Sequence, residues 1–477
     1  MFKKALLILL IFAVTAGILY TKVDRDTEAV IEAFVFPGDV VLKEVSKVVL
    51  ENSLGVQTTT TSNVSDDKGH IGQLTEIKFE SNSGNATYRH VAIAGETDRE
   101  TPLMVRFYSE GELTPYRDHR LIEGSHAQFI EAPTRDYFFS SGQFYELYDG
   151  YYERLSASAL GVSPEVMIES NRLNFQFPIK EGVLSEYWFI ESQMPLVYWN
   201  NTKEVDLLAR MDFDISRQFS LLGNMYPVPD SYSGVGENHF YHNYAYHVGN
   251  KLLVEGASLF SKLFSQISVN HLLTNMPEGG YFMTPMMSSW LGADYGLGYA
   301  FYDTRFNADA AQFLLNSYKK TRDWTFLEAA EKHIAFFKVY SEQYKIPTGD
   351  NGYLVMDYTD FSGSGVIVHA SLNHVLAEAV LLYDYHMATG DQKSRQIADE
   401  LLQGIEDLGE GWVKENGDLW YAYHPEKGFI LQDYIDVTLN DLRTAQQTYF
   451  NVYGKEFEFI NYLIDVKHKY VNSVIGK

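Results

Sequence analysis

Three tyrosines late in the chain stand in short polar or glycine-bearing segments between apolar runs. They are Tyr358 in Met356-Asp357-Tyr358-Thr359, Tyr421 in Gly417-Asp418-Leu419-Trp420-Tyr421, and Tyr434 in Gln432-Asp433-Tyr434-Ile435-Asp436. A tyrosine joins an apolar face to a polar tip, which suits contact with sugars. Its hydroxyl can also move a proton at a carbon next to a carboxylate. The free group titrates near about 10, so this needs a depressed pKa or a concerted handover. Removing a proton from one face of a uronate C5 and returning one to the other requires two opposed groups and neutralisation of the substrate carboxylate. Tyr358 and Tyr434 form the first candidate pair, with Tyr421 third. Asp357, if protonated by burial, would hydrogen-bond that carboxylate. Packing or sugar stacking is the competing reading for each tyrosine.

Other chemistry-bearing residues cluster in loops. Tyr302 and Arg305 follow Tyr295 in a Gly-rich stretch; Tyr302 is a candidate sugar contact, and Arg305 a candidate carboxylate clamp, because its fork matches that geometry. Tyr241 and His242 lie in Glu237-Asn238-His239-Phe240-Tyr241-His242-Asn243-Tyr244 and are candidate sugar contacts. None of His239, His242 and His247 forms the i, i+4 pair of a zinc helix. His424, between Tyr423 and Pro425, is a candidate base or carboxylate contact, or else a hydrogen-bonding loop histidine. His369 and His374 bracket the start of a helical run, where a cleft-facing role competes with a capping or core role. No cofactor motif and no metal set is present in the sequence. An acidic chain could hold a structural Ca²⁺ in an oxygen-lined loop, but Asp66-Asp67 and Asp303 are too sparse to nominate one.

The elements that must position these residues are mostly helical. From about 135, apolar residues recur at helical spacing in Ser185 to Tyr198, Val205 to Leu222, Lys251 to Leu273, Ala308 to Tyr318, Phe326 to Tyr340, Leu372 to Met387, Ser394 to Leu408 and Leu439 to Tyr453. A helix–turn–helix unit repeats at Tyr318–Asp323, Tyr385–Asp391 and Tyr449–Gly454, with a weaker copy at Tyr198–Thr202. Successive αα-hairpins of this kind predict an (α/α) toroid, or barrel, over 135–477. Before it, Leu74 to Glu80 and Tyr88 to Gly95 read as a hairpin around Ser81–Asn85, and Leu103 to Tyr108 as a further strand. The expected fold class is therefore mainly α: a toroid of helical hairpins preceded by a small antiparallel β domain at about 60–130. Residues 24–60 form an N-terminal segment, and 54–72, rich in Gly, Ser, Thr and Asp, reads as loop or linker.

Bulk properties narrow the partners. The chain has 477 residues, 45% of them hydrophobic, so it can bury a sizeable core. Its net charge of -25 argues against nucleic acid, since no phosphate-neutralising stripe exists. The same charge requires a local basic patch for any polyanionic substrate. With no cysteine there are no disulfides and no thiolate metal sites. Lys3 and Lys4 precede the apolar run Ala5 to Tyr20, with Val14-Thr15-Ala16 as a cleavage site. Residues 1–23 therefore read as a secretory signal or an uncleaved anchor, placing the rest in the periplasm or cell envelope. That segment is the expected membrane contact, and a homodimer is compatible with the sequence.

The segment from about 290 to 465 resembles the D-glucuronyl C5-epimerase family, which includes the enzyme acting on the heparan precursor. The resemblance rests on Trp324-Thr325-Phe326-Leu327-Glu328-Ala329-Ala330, on Ser371-Leu372-Asn373-His374 through Leu382-Tyr383-Asp384, and on Asp433-Tyr434 followed by Leu439-Asn440-Asp441-Leu442. It implies an N-terminal β part followed by an (α/α) barrel, a uronate-containing polysaccharide as substrate, and Asn440 among the substrate contacts. The family's glutamate-tyrosine pair appears here as Asp357-Tyr358. Its tyrosine three residues after a glycine falls on Trp420, with Tyr421 one residue on and Tyr423 as a further alternative. Its histidines after the aspartate-tyrosine pair are replaced by Ile435 and Thr438. A polysaccharide lyase shares the proton abstraction but then expels the C4 substituent. A glycoside hydrolase would need two carboxylates flanking a bond, for which Asp357, Asp360 and Asp433 are available. A non-catalytic glycan-binding protein is the remaining alternative.

Overall fold

The computed structural model describes residues 181–475, apart from 212–217, 221–222, 233–237 and 299, and, between 23 and 179, a series of strands with a few flanking residues. The expected signal or anchor, Ala5 to Tyr20, lies outside the described residues. Among the described residues no helix is long and apolar enough to cross a membrane. The chain forms two compact units. One comprises Met1–Pro227 with Asn238–Phe240 and Gly256–Leu263. The other comprises Val228–Glu237, Tyr241–Glu255 and Phe264–Lys477.

The first unit is built of antiparallel strands. Val41–Asn52, Gly55–Asp66 and Gly69–Ser81 pair in succession, and the third also pairs with Val183–Ser192. The expected linker at 54–72 is thus corrected. Thr58 to Thr61 sit in mid-strand, paired on both sides. Threonine is β-branched and fits a pleated surface, so this composition serves a strand as well as a loop. The expected hairpin around Ser81–Asn85 is also corrected. Its first arm lies in the large sheet, whereas Ala86–Ala92 pairs with Arg172–Ile179 in a separate one. Ser185 to Tyr198, read as a helix, overlaps the strand Val183–Ser192, in which every residue but Glu191 is buried. A strand covered on both faces shows no alternation, and its period cannot be told from that of a buried helix. No helix therefore precedes the turn at Tyr198–Thr202. The Val205 to Leu222 reading shrinks to helix α1 (Thr202–Ala209) and a strand Gln218–Ser220. The strands extend to Pro227, so the helical unit begins well after residue 135.

The second unit is of the (α/α) toroid class. The helices α2 (His247–Glu255), α3 (Leu259–Asn275), α4 (Ser289–Tyr295), α5 (Thr304–Thr321), α6 (Trp324–Gln343), α7 (Leu372–Thr389), α8 (Gln392–Asp407), α9 (Val437–Tyr453) and α10 (Glu458–Ile475) follow in order, the first turn of α3 belonging to the other unit. Helices α5 with α6, α7 with α8, and α9 with α10 form antiparallel hairpins, and α7 packs between α5 and α9. Two hairpin turns share one device. At the first, Asp323 caps α6 while its amide donates to Thr321 Oγ1 at 3.0 Å. At the second, Asp391 caps α8 and donates to Thr389 Oγ1 at 3.2 Å. Each residue between, Arg322 and Gly390, takes the left-handed conformation that ends the preceding helix. Asp399 on α8 accepts from Tyr383 on α7 at 2.7 Å and from Tyr453 on α9 at 2.6 Å, tying the two hairpins together.

Short strands cross the helix connections. Met283–Thr284, Phe301–Asp303 and Tyr358–Thr359 form one three-stranded antiparallel sheet; Ala370–Ser371, Trp420–His424 and Gly428–Gln432 form another. These two sheets carry Asp303, Tyr358 and Tyr421.

Candidate functional site

A cleft of about 480 Å³ opens within the helical unit, lined among others by Tyr232, Trp290, Asp303, Arg305, Tyr358, His374, Tyr421 and Tyr434. The three tyrosines singled out by sequence are therefore brought to one cavity. Strand register explains two of the placements. Asp303 pairs directly with Tyr358, so their side chains share a face. Tyr302, one residue earlier, points to the other face. There it packs against Tyr340 and Phe336, with ring centroids at 4.8 and 5.2 Å, fully buried and away from the cleft. Its expected role as a sugar contact does not fit that position.

Tyr358 is buried, in T-shaped contact with the rings of His374, His369 and Trp290 at 5.4, 5.7 and 6.1 Å. Tyr421 meets Tyr434 edge to face at 5.6 Å. Tyr434 is 54% exposed and stands at the open side. All three hydroxyls titrate above their ordinary value. Burial is the first cause in each, reinforced by Tyr421 and Asp303 at Tyr358, by Asp357 and Tyr434 at Tyr421, and by Asp303 and Asp433 at Tyr434.

Asp357 sits behind the cleft wall, fully buried. Its Oδ1 accepts the Ser371 amide at 2.9 Å and lies 3.7 Å from His374 Nδ1; its Oδ2 lies 3.4 Å from His369 Nε2. Tyr295 and His369 Nδ1 share a hydrogen bond of 2.8 Å, and Thr304 and His374 Nδ1 one of 2.9 Å. Burial alone would raise the Asp357 pKa, but His374, His369 and Ser371 outweigh it and hold it below the usual range. The expectation of a protonated Asp357 is thereby corrected. It is an ionised carboxylate that fixes two imidazoles. His374 is pushed down to about 4 by its own burial and stays neutral at pH 7.

Asp303 behaves oppositely. It caps α5, its Oδ1 accepting the Phe306 amide at 2.9 Å, and it is 4% exposed. Burial, with the Asp357 and Asp309 charges adding to it, pushes it up to about 7 against the lowering effect of the Phe306 amide. Sequence reading considered Asp303 only as a metal ligand. Its position just before an apolar helical run, where an aspartate caps a helix, is the signal that marks it.

Arg305 reaches the cleft with most of its fork engaged. Nη1 and Nη2 bind Asp441 at 2.7 and 3.1 Å, Nη1 also donates to the Asn373 carbonyl at 3.1 Å, and Nε binds Asp309 at 2.9 Å. Four of its five N–H groups are thus committed within the protein. The remaining predicted contacts lie elsewhere. His424 is buried, accepts the Glu426 amide at Nδ1 and donates from Nε2 to the Ile367 carbonyl at 3.2 Å. Asn440 is exposed on α9. Tyr241 and His242 line a separate, narrow recess with Asn243 and Tyr244. Sequence reading missed Tyr232, Trp290 and Gln432 as lining residues.

The loop bearing Tyr434 is anchored from below. Lys467 on α10 is fully buried and binds Asp433 at 2.7 Å and Asp418 at 2.6 Å, while Thr438 donates to Asp433 at 2.6 Å. Leu431, on the cleft rim, holds φ 67, a strained value for a branched residue. Among the described residues no group of three or more His, Asp or Glu could hold a metal ion.

No family model matches this sequence, and no curated protein matches it. Solved structures do. A family 76 glycoside hydrolase from a bovine Bacteroides thetaiotaomicron strain aligns over 84% of this chain and 75% of its own, at 10% identity and a TM-score of 0.38. The family 76 α-mannanase BT2949 of Bacteroides thetaiotaomicron aligns over 48% of this chain and 59% of its own, at 11% identity and a TM-score of 0.34. The unsaturated glucuronyl hydrolase of Bacillus sp. GL1 aligns over 48% and 59%, at 12% identity and a TM-score of 0.32. The chain thus spans little more than half the length of the latter two.

Proposed function

We propose that this chain is an exported carbohydrate-processing enzyme that acts on uronate residues of an envelope polysaccharide and epimerises them at C5, D-glucuronate to L-iduronate in type. The observation that carries the reading is the convergence of Tyr358, Tyr421 and Tyr434 on one cleft with a neutral imidazole, His374, beside them. Aromatic faces suit a pyranose ring, and protonated hydroxyls can donate to the carboxylate as charge builds on it. Tyr358 and Tyr434 reach the cavity from different sheets or their flanking loops, which suits a reaction using both faces of a ring carbon.

The hydrolase reading is less well supported, since Asp303 is the single carboxylate among the described lining residues and hydrolysis needs two. The lyase shares the first proton removal and remains the second reading, because Tyr434 could as well protonate a departing C4 oxygen. No step in either calls for a cofactor. To test the proposal, the purified chain is incubated in D₂O with polymers of glucuronate and of mannuronate and the sugars are read by NMR. Label at C5 with new iduronate-type or guluronate-type signals is the expected result. Unsaturated ends identify the lyase, and binding without label on any polymer rejects both. Tyr434→Phe is expected to lower the rate about 10²- to 10⁴-fold while leaving the fold intact.

A further inference from the structure

The structure assigns a catalytic role to Asp303: we propose that its carboxylate, and not a tyrosine, removes the C5 proton in the cleft. This inference rests on the reading of the cleft as a site of proton abstraction next to a carboxylate. Three observations carry it. Asp303 is the lone carboxylate among the described lining residues. It stands directly opposite Tyr358 across a strand pair, on the cleft face. One of its oxygens accepts the Phe306 amide, which orients the group at the head of the helix.

The surroundings supply a base of suitable strength. Around Asp303 lie the carboxyls Asp357, Asp309 and Glu378, the hydroxyls of Tyr232, Tyr302, Tyr358 and Tyr434, and the Arg305 amide. The negative neighbours and burial keep Asp303 near about 7, where a general base is most effective at neutral pH. The tyrosines cannot serve as the resting base. A hydroxyl titrating at or above about 10 is ionised in at most about one molecule in a thousand at pH 7, and every tyrosine here is raised further.

The steps balance as follows. The Asp303 carboxylate takes the C5 hydrogen as a proton, and the C–H electron pair moves into the bond between C5 and the carboxylate carbon, giving an enediolate. The Tyr358 hydroxyl donates a hydrogen bond to it. Tyr434 then delivers its hydroxyl proton to the opposite face of C5, where the electron pair returns to form the new C–H bond. The Tyr434 oxyanion regains a proton from the Asp303 carboxyl through water, restoring both groups.

Asp303→Asn tests this with little risk to the fold, because asparagine caps a helix about as well as aspartate. The rate of C5 deuterium exchange is followed against pH for the full-length protein. Wild type is expected to lose kcat/KM as pH falls through about 7. Folded D303N is expected to be slowed at least about 100-fold, with no acid limb in what remains. Asp303→Glu, which keeps a carboxyl but displaces it, is expected to be slow with the limb retained. Exchange by D303N at the wild-type rate with the wild-type limb overturns the inference and leaves the epimerase reading standing, as does loss of the limb in D303E. Absence of exchange by wild type on any polymer overturns both.

Discussion

Asp303 and Asp357 are backbone neighbours, linked through the Thr304 amide donating to the Asp357 carbonyl at 3.0 Å. Both are buried, and burial pushes both pKa values upward. They nonetheless settle on opposite sides of the usual carboxylate range. Asp357 has an amide and two imidazoles within reach and stays ionised. Asp303 has the Phe306 amide on one oxygen and faces the Asp357 charge, and it is pushed up to about 7. Depth of burial therefore does not decide what a carboxyl does; the donors and charges around it do. Here one carboxylate becomes scaffold and its neighbour becomes a titrating group on the cleft.

The buried carboxylates Asp433 and Asp418 extend the comparison, since a cation, Lys467, offsets them. Lys467→Met is expected to show the largest effect, about 3–5 kcal/mol of lost stability, because it leaves two buried carboxylates without a counter-charge. Urea denaturation measures it.

Next comes Asp303→Asn, read through pH. The unfolded chain releases this proton at an ordinary carboxylate pKa and the folded protein only near about 7. Between these values the folded state binds more protons, so wild-type stability falls as pH rises. The substitution removes that slope, and relative to wild type the variant gains up to about 4 kcal/mol between pH 4 and pH 8. Asp357→Asn has the opposite sign. Its depressed pKa contributes stability above the ordinary carboxylate range and loses it as pH falls through the folded value. The variant is expected to be about 1–3 kcal/mol weaker at pH 8, with the gap closing in acid; melting curves at several pH values follow both.

The smallest effect concerns the hairpin turns. Arg322 holds φ 63 where the corresponding positions carry Gly390 and Gly454. Arg322→Gly is expected to stabilise by up to about 1 kcal/mol, read as a small rise in Tm.

Much of the helical unit was legible in sequence because its signals are local. Thr321-Arg322-Asp323 and Thr389-Gly390-Asp391 announce a helix end and a helix start within three residues, and the structure uses them so. The convergence of Tyr358, Tyr421 and Tyr434 followed from their placement in connections between helices. The strand-built unit was less legible. Val183–Ser192 is covered on both faces and shows no alternation, while the threonines of Gly55–Asp66 share their composition with loops. Within the site, Tyr302 and Asp303 could not be told apart, because a three-residue strand is too short to reveal its faces. The pairing of Arg305 with Asp309 is an i, i+4 contact on one helix, but its pairing with Asp441 depends on a helix far along the chain, and no local pattern encodes it.

The contrast between the two aspartates is tested most directly by carbon-13 NMR of the full-length protein labelled at its aspartate carboxyls. Spectra are recorded from pH 5 to pH 9, with D303N and D357N assigning the two resonances. The predicted result is a carboxyl signal that titrates near about 7 and vanishes in D303N, beside an Asp357 signal that does not move across that range. An Asp303 signal already ionised at pH 5, or an Asp357 signal that titrates with it, would contradict the division of roles.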